Sequence, residues 1–246
     1  MINYKILVQY DGSRYKGWQI QKNTDVTIQG KLQAVLAKMS GYEVEVHGSG
    51  RTDAGVHAIG QVANFKLKEP RDCQEIFCYF KEYLPEDIAV MEVKEVPIDF
   101  HSRLSAVNKT YRYRIWTSPV PNVFERKFIT VMEDTIDVEQ MKLAAEYIKG
   151  THDFTAFCGN RKFKKSAVRS IYEIEIKQLE SEICIDVTGN GFLQNMMRIL
   201  VGTLVEVGLG KRDAHEIPAV LESKNRELAG VTMPAKGLCL MKVCYR

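Results

Sequence analysis

The chain has 246 residues, 45% of them apolar and 26% charged, with a formal net charge of +3. That balance excludes a disordered or fibrous chain, and the length allows one large domain or two small ones, each with its own core. No window is apolar for long enough to span a bilayer, and so small a net charge does not by itself identify a polyanionic partner.

The first segment, MINYKILVQYDG, reads as a strand over 4–10 and lacks the apolar stretch and cleavage site of a signal peptide, so a cytoplasmic protein is expected. Ile28, Leu32, Val35, Leu36 and Met39 then recur at helical spacing, with Thr27 as N-cap and Gly41 as stop. YEVEVH alternates Tyr42, Val44 and Val46 against Glu43, Glu45 and His47, which predicts a half-buried strand. Beyond the glycine-containing loop HGSGRTDAGVH, the pattern predicts a strand in GQVANFKL, a helix in CQEIFCYFKEYL and a strand in IAVMEVKEV.

From about residue 108 a similar order starts again. TYRYRIW predicts a strand, DVEQMKLAAEYIKG a helix with Asp137 as N-cap and Gly150 as stop, and VRSIYEIEIKQ with ESEICIDVTG a hairpin. A long helix over 192–207 and a closing strand in GLCLMKVCY complete the series. Antiparallel pairs with helices on one face indicate the α+β class, in two units, 1–107 and 108–246, with a cleft between them as the default place for a site. The cysteines at 73, 78, 158, 184, 239 and 244 are expected to be reduced thiols, and their spacings do not favour a metal site.

Three residues can carry chemistry. Asp53 follows a strand in a loop with Gly48, Gly50 and Gly55 and stands next but one to Arg51, where a carboxylate is a cap, a turn residue or a catalytic group. His57 is close enough in sequence to pair with it, but no serine or cysteine nucleophile accompanies them and two candidates are too few for a metal. Arg198 falls in the middle of a helix that is apolar nearly all round, so it either meets a buried carboxylate, for which Asp53 is a candidate, or snorkels to water. Tyr111 shares a strand face with Tyr113 and Ile115, and is either a core residue or a platform on which a base can stack. Two clusters mix basic and aromatic side chains: Lys109, Arg112 and Arg114 among Tyr111, Tyr113 and Trp116, and Arg161, Lys162, Lys164, Lys165 and Arg169 around Phe163. Both suit a phosphate backbone, and both equally suit a solvated surface.

Taken together, YDGSRYKGWQIQ, GRTDAGVHAIGQVANF, LPEDIAV, FHSRLSAVNKTYRYRI, GTHDFTAF, GNGFLQNMMRILVGTLVEVG and VTMPAKGLCL resemble, in order, the motifs of the tRNA pseudouridine synthase A family. The resemblance implies two ferredoxin-like α+β subdomains side by side, antiparallel-rich, forming the pseudouridine synthase fold around a central cleft. The activity it implies is isomerisation of uridine to pseudouridine at positions 38 to 40 of the tRNA anticodon stem-loop, by a homodimer with no metal and no organic cofactor. Asp53 matches the catalytic aspartate, Tyr111 the tyrosine that packs on the target base, Arg198 the arginine that pairs with the aspartate, and Arg51 the arginine that helps to push the base out of its stack. Two readings from other classes stand beside it: a non-catalytic RNA-binding module of the same fold, and an Asp–His hydrolase that would require a metal.

Overall fold

The computed structural model describes residues 1–160 and 166–246. In chain order the elements are β1 (Ile2–Tyr10), α1 (Ile28–Ser40), β2 (Val46–Gly48), β3 (His57–Leu67), α2 (Cys73–Tyr83), β4 (Ile88–Val96), β5 (Ala106–Trp116) and β6 (Thr130–Val131). There follow α3 (Val138–Ile148), β7 (Gly150–Asp153), β8 (Val168–Leu179), β9 (Glu182–Gly189), α4 (Met196–Gly208), α5 (Ile217–Ser223) and β10 (Leu238–Tyr245), with short 3₁₀ turns between several of them. The α+β class expected from the element order is the class observed. Two compact units can be distinguished: Met1–Val107 together with Leu240–Arg246, and Asn108–Cys239. The chain thus crosses from one unit to the other twice, because its last strand runs beside β3 of the first.

In the first unit β1 is central, antiparallel to both β3 and β4. Its alternate residues Tyr4, Ile6 and Val8 are fully buried, as are Leu32 and Leu36 of α1 and Ile76 of α2. Tyr4 stacks on Phe65 of β3 at 5.6 Å, and Phe65 meets Phe80 of α2 edge-on at 6.2 Å, so α2 closes this face of the sheet. On the other face a buried asparagine pair holds the segment that leaves β4. Asn3 Nδ2 donates to the carbonyls of Pro97 and Phe100, Asn64 Nδ2 donates to Asn3 Oδ1, and Asn64 Oδ1 accepts from Ser102 N–H.

The helix signals act where their residue types place them. Thr27 Oγ1 accepts from Gly30 N–H, and Gly41 takes a left-handed φ of 80° while donating to Ala37 O. Asp137 Oδ1 accepts from Glu139 and Gln140 N–H at the start of α3.

The strand expected over 42–47 is shorter, covering only Val46–Gly48 against Phe65, Asn64 and Ala63. Upstream of it Tyr42 reaches β3's end through its hydroxyl, which accepts from Lys68 N–H at 2.8 Å, so side chain replaces ladder there.

In the second unit β9 lies between β5 and β8, all antiparallel, with β7 beyond β8 and β6 parallel to the end of β5. Tyr113, Ile115, Ile183, Ile185 and Val187 project into the core and are fully buried. The long helix begins at Met196 and not at 192. Asn195 has φ 58°, a left-handed conformation that no interior helical residue adopts and that asparagine tolerates better than most, so 192–195 form a turn ahead of the helix. Among the described residues no helix is long and apolar enough to cross a membrane.

Candidate active site

The loop between β2 and β3 carries Arg51 and Asp53, and the first unit holds its backbone at almost every step. Ser49 N–H donates to Val62 O at 2.7 Å, Trp18 N–H donates to Thr52 O at 3.0 Å, Gly55 N–H donates to Tyr15 O at 3.3 Å, and Val56 N–H closes a turn onto Asp53 O at 3.1 Å. Trp18 is 1% exposed, and its indole lies so near Gly48 that a Cβ there would sit 2.4 Å from the ring. Gly17, at φ 97°, lets the YDGSRYKGW segment run against the backbone of Thr52, Asp53 and Ala54. Arg51 is exposed and Asp53 half-buried, on a loop whose backbone is tied at Ser49, Thr52 and Gly55.

The supporting segment is anchored in turn. Asp87 Oδ1 accepts from the Tyr15 hydroxyl at 2.6 Å and Asp87 Oδ2 from Arg14 Nε at 2.8 Å, which joins LPEDIAV to YDGSRY. Burial, followed by that bond to Asp87, pushes the Tyr15 phenol well above its ordinary pKa and keeps it a donor. His57 is buried, and its Nδ1 accepts from Gly12 N–H at 3.0 Å. Asp11 Oδ1 lies 3.3 Å from the same nitrogen.

In the second unit Tyr111 is 7% exposed, and its ring meets Phe192 edge-on at 5.1 Å. Tyr113, on the same face of β5, places its hydroxyl between Thr130 Oγ1 at 2.7 Å and Pro234 O at 2.8 Å. Burial pushes its pKa up to about 12, opposed by the Thr130 bond and by the positive charge of Arg198. Arg198 lies in the first turn of α4 and is half-buried. Its Nε donates to Met233 O at 2.5 Å and its Nη1 to Asn195 Oδ1 at 3.3 Å, while Met233 N–H donates back to Arg198 O. The guanidinium is thus aimed by two neighbours and does not simply trail toward water.

The basic and aromatic clusters divide. Arg112 is bidentate to Asp186, with both bonds at 2.7 Å, and Arg114 is bidentate to Glu182 at 2.6 and 2.9 Å and also bonds Glu125. These two guanidinium groups have carboxylate partners across the sheet, which accounts for both of them without a phosphate. Arg169 turns its Nη1 onto the carbonyls of Ser166 and Val168. Arg161, Lys162, Lys164 and Lys165 lie outside the described residues. Among the described residues no three His, Cys, Asp or Glu side chains are grouped to hold a metal.

A family model described as tRNA pseudouridine synthase matches residues 6–104 and 144–246. The chain belongs to the tRNA pseudouridine synthase family. As a member of that family it is an isomerase. It is 47% identical over 245 residues, the whole of both chains, to tRNA pseudouridine synthase A of a Bacillus species. Identity is 46% to tRNA pseudouridine synthase A 2 of Bacillus cereus, with 99% of each chain covered, and 42% to tRNA pseudouridine synthase A of Acetivibrio thermocellus, with all of each covered.

Around the GRTD loop the fold assembles residues to which sequence reasoning gave no role: Tyr10, Trp18, Thr52 and Gln61. Beside Arg198 it adds Asn195 and Met233. One signal was available. Gln61 and Asn64 are polar interruptions in β3, a strand buried on both faces along most of its length, and a polar side chain in such a place needs a partner.

Proposed function

We propose that this chain converts uridine to pseudouridine at positions 38, 39 and/or 40 of the tRNA anticodon stem-loop, with Asp53 as the catalytic carboxylate and with no cofactor. The observation that carries the reading is Asp53 itself: a half-buried carboxylate on a GRTD loop fixed by backbone hydrogen bonds, in a chain matched end to end by relatives named tRNA pseudouridine synthase A. The reaction breaks the bond from ribose C1′ to uracil N1 and forms one from C1′ to C5. The C5 proton leaves and N1 gains one, so no electrons or groups are exchanged. Attack on the sugar, attack on the ring and elimination to a glycal all require an ionised carboxylate beside the breaking bond, and Asp53 supplies it.

Tyr111, Arg198 and Arg51 bind the substrate in this proposal. Arg51, exposed on the same loop, meets the RNA as the base leaves its stack, a step that costs a few kcal/mol. Stacking on the Tyr111 ring returns about 1–3 kcal/mol of that, and Arg198 supplies positive charge to the chemical step. Arg161, Lys162, Lys164, Lys165 and Arg169 contact the phosphate backbone. The protein works as a homodimer in the cytoplasm.

The test uses the purified protein and an anticodon stem-loop transcript without added metal. Uridine is converted by the native chain, whereas Asp53→Asn and Arg198→Met convert none, and Asp53→Asn still binds tRNA. A non-catalytic RNA-binding module predicts no conversion by any of them, and undiminished turnover in Asp53→Asn would refute the role of the carboxylate. Mass-shift mapping of pseudouridine in total tRNA, with and without the gene, reads the positions directly.

A further inference from the structure

Behind the Asp53 loop lies a buried polar chain that packing does not require. Gln61, on β3, is 0% exposed, and both ends of its amide are engaged with the loop. Its Oε1 accepts from Ser49 Oγ at 2.6 Å and its Nε2 donates to the carbonyl of Gly50 at 3.0 Å, with the Tyr10 hydroxyl 3.4 Å from the same nitrogen. Tyr10 Oη in turn lies 2.8 Å from Thr52 Oγ1, and all four side chains are buried. Gly50 and Thr52 flank Arg51, and Thr52 precedes Asp53, so the bonds to Gly50 O and Thr52 Oγ1 each end on a residue next to a proposed functional one. A leucine at 61 would fill the same space but take the bonds away from the Ser49 hydroxyl and the Gly50 carbonyl, so the amide serves the loop and not the packing. The amide sets an acceptor oxygen at one end against a donor nitrogen at the other, which discriminates the Ser49 hydroxyl from the Gly50 carbonyl and fixes the rotation of the loop about its own axis.

We infer that Gln61 and Thr52 are positioning residues for the isomerisation, setting through the loop backbone the direction in which the Asp53 carboxylate and the Arg51 side chain project. The inference rests on the reading of Asp53 as the catalytic group. Neither residue touches the uridine; each acts through the peptide units on either side of Arg51. A displacement near 1 Å of a catalytic group lowers a rate by about 100-fold, so a loop turned by the loss of one of these bonds binds tRNA as before and converts it slowly.

Isosteric pairs separate positioning from packing. Thr52→Val keeps the volume and loses the hydroxyl, and Thr52→Ser keeps the hydroxyl and loses a methyl group. Gln61→Glu keeps the shape but sets a second acceptor against Gly50 O, and Gln61→Met keeps only the bulk. Single-turnover conversion of a stem-loop transcript is measured with enzyme in excess, alongside tRNA affinity by filter binding and the melting temperature. Thr52→Ser is expected within a few-fold of the native rate, and Thr52→Val, Gln61→Met and Gln61→Glu slower by about 10- to 100-fold at unchanged affinity. A purely structural role ranks the threonine variants the other way, with valine better than serine and the rates following the melting temperatures, and that ranking overturns the inference. Native rates in all four variants while Asp53→Ala is inactive also overturn it and leave the role of Asp53 standing. An active Asp53→Ala removes both.

Discussion

Gly17→Ala puts a methyl group where the supporting segment touches the Asp53 loop. Two separate costs arise. Residue 17 has φ 97°, outside the region open to a residue with a Cβ, which costs about 1–2 kcal/mol. The new Cβ also stands 2.7 Å from Thr52 O, with Asp53 C and Ala54 N at 3.2 Å. Carbon and oxygen rest against each other at ~3.3 Å, so the loop backbone must withdraw by about 0.6 Å, at the roughly 1–3 kcal/mol of an overpacked site. Gly41→Ala is the control, because Gly41 has φ 80° but nothing within 4 Å of its Cβ position. It carries the backbone cost alone and lies at the far end of α1. Melting curves should therefore place Gly17→Ala below Gly41→Ala, each kcal/mol moving the midpoint by about 2–4 °C for a chain of this size. Single-turnover conversion should be native in Gly41→Ala and lowered by about 10-fold in Gly17→Ala, in proportion to a displacement of half an ångström or more. Equal melting temperatures and equal rates in the two variants would refute the argument that the YDGSRYKGW segment sets the position of the loop.

Two other outcomes follow from the second unit. Glu182 is held below the usual carboxylate range, first by its bidentate bond to Arg114, so the folded pKa lies under the unfolded one. The stabilisation is thus complete above the ordinary glutamate pKa of about 4.3 and is lost as pH falls below it, and Glu182→Gln should show a shallower acid decline in melting temperature between pH 5 and 3. An identical slope would show that the pair does not contribute. Arg112, committed to Asp186, should not contact phosphate, so Arg112→Ala is expected to leave the salt dependence of tRNA affinity unchanged; a fall of about one unit in the slope of log K against log salt would place it at the RNA.

What was legible in the sequence is what a few neighbouring residues decide. Thr27, Gly41 and Asp137 mark helix ends because capping is a contest between adjacent backbone groups, and the alternation in β1, β8 and β9 survives because each strand has one face in a core. GRTD was legible as a loop carrying a carboxylate for the same local reason, and as a family signature. Where local and tertiary preferences differ, the second prevails: YEVEVH alternates over six residues but pairs over its last two and the glycine beyond, and Asn195 turns left-handed inside a run of apolar residues that reads as helix throughout.

Element order and motifs suffice to give the α+β class and the family resemblance, and to single out Asp53, Tyr111 and Arg198 as the residues to question. It takes the folded chain to show that Gln61 faces Gly50, that Tyr10 meets Thr52 across 42 positions of chain, that Met233 and Asn195 aim Arg198, and that Arg112 and Arg114 are paired with carboxylates 74 and 68 positions on. The cause is register. A hydrogen bond reaches about 3 Å, and which side chains come within that reach is set by how β1, β3, β5 and β9 slide into alignment, a choice made by the packing of whole faces and written in no short stretch of sequence.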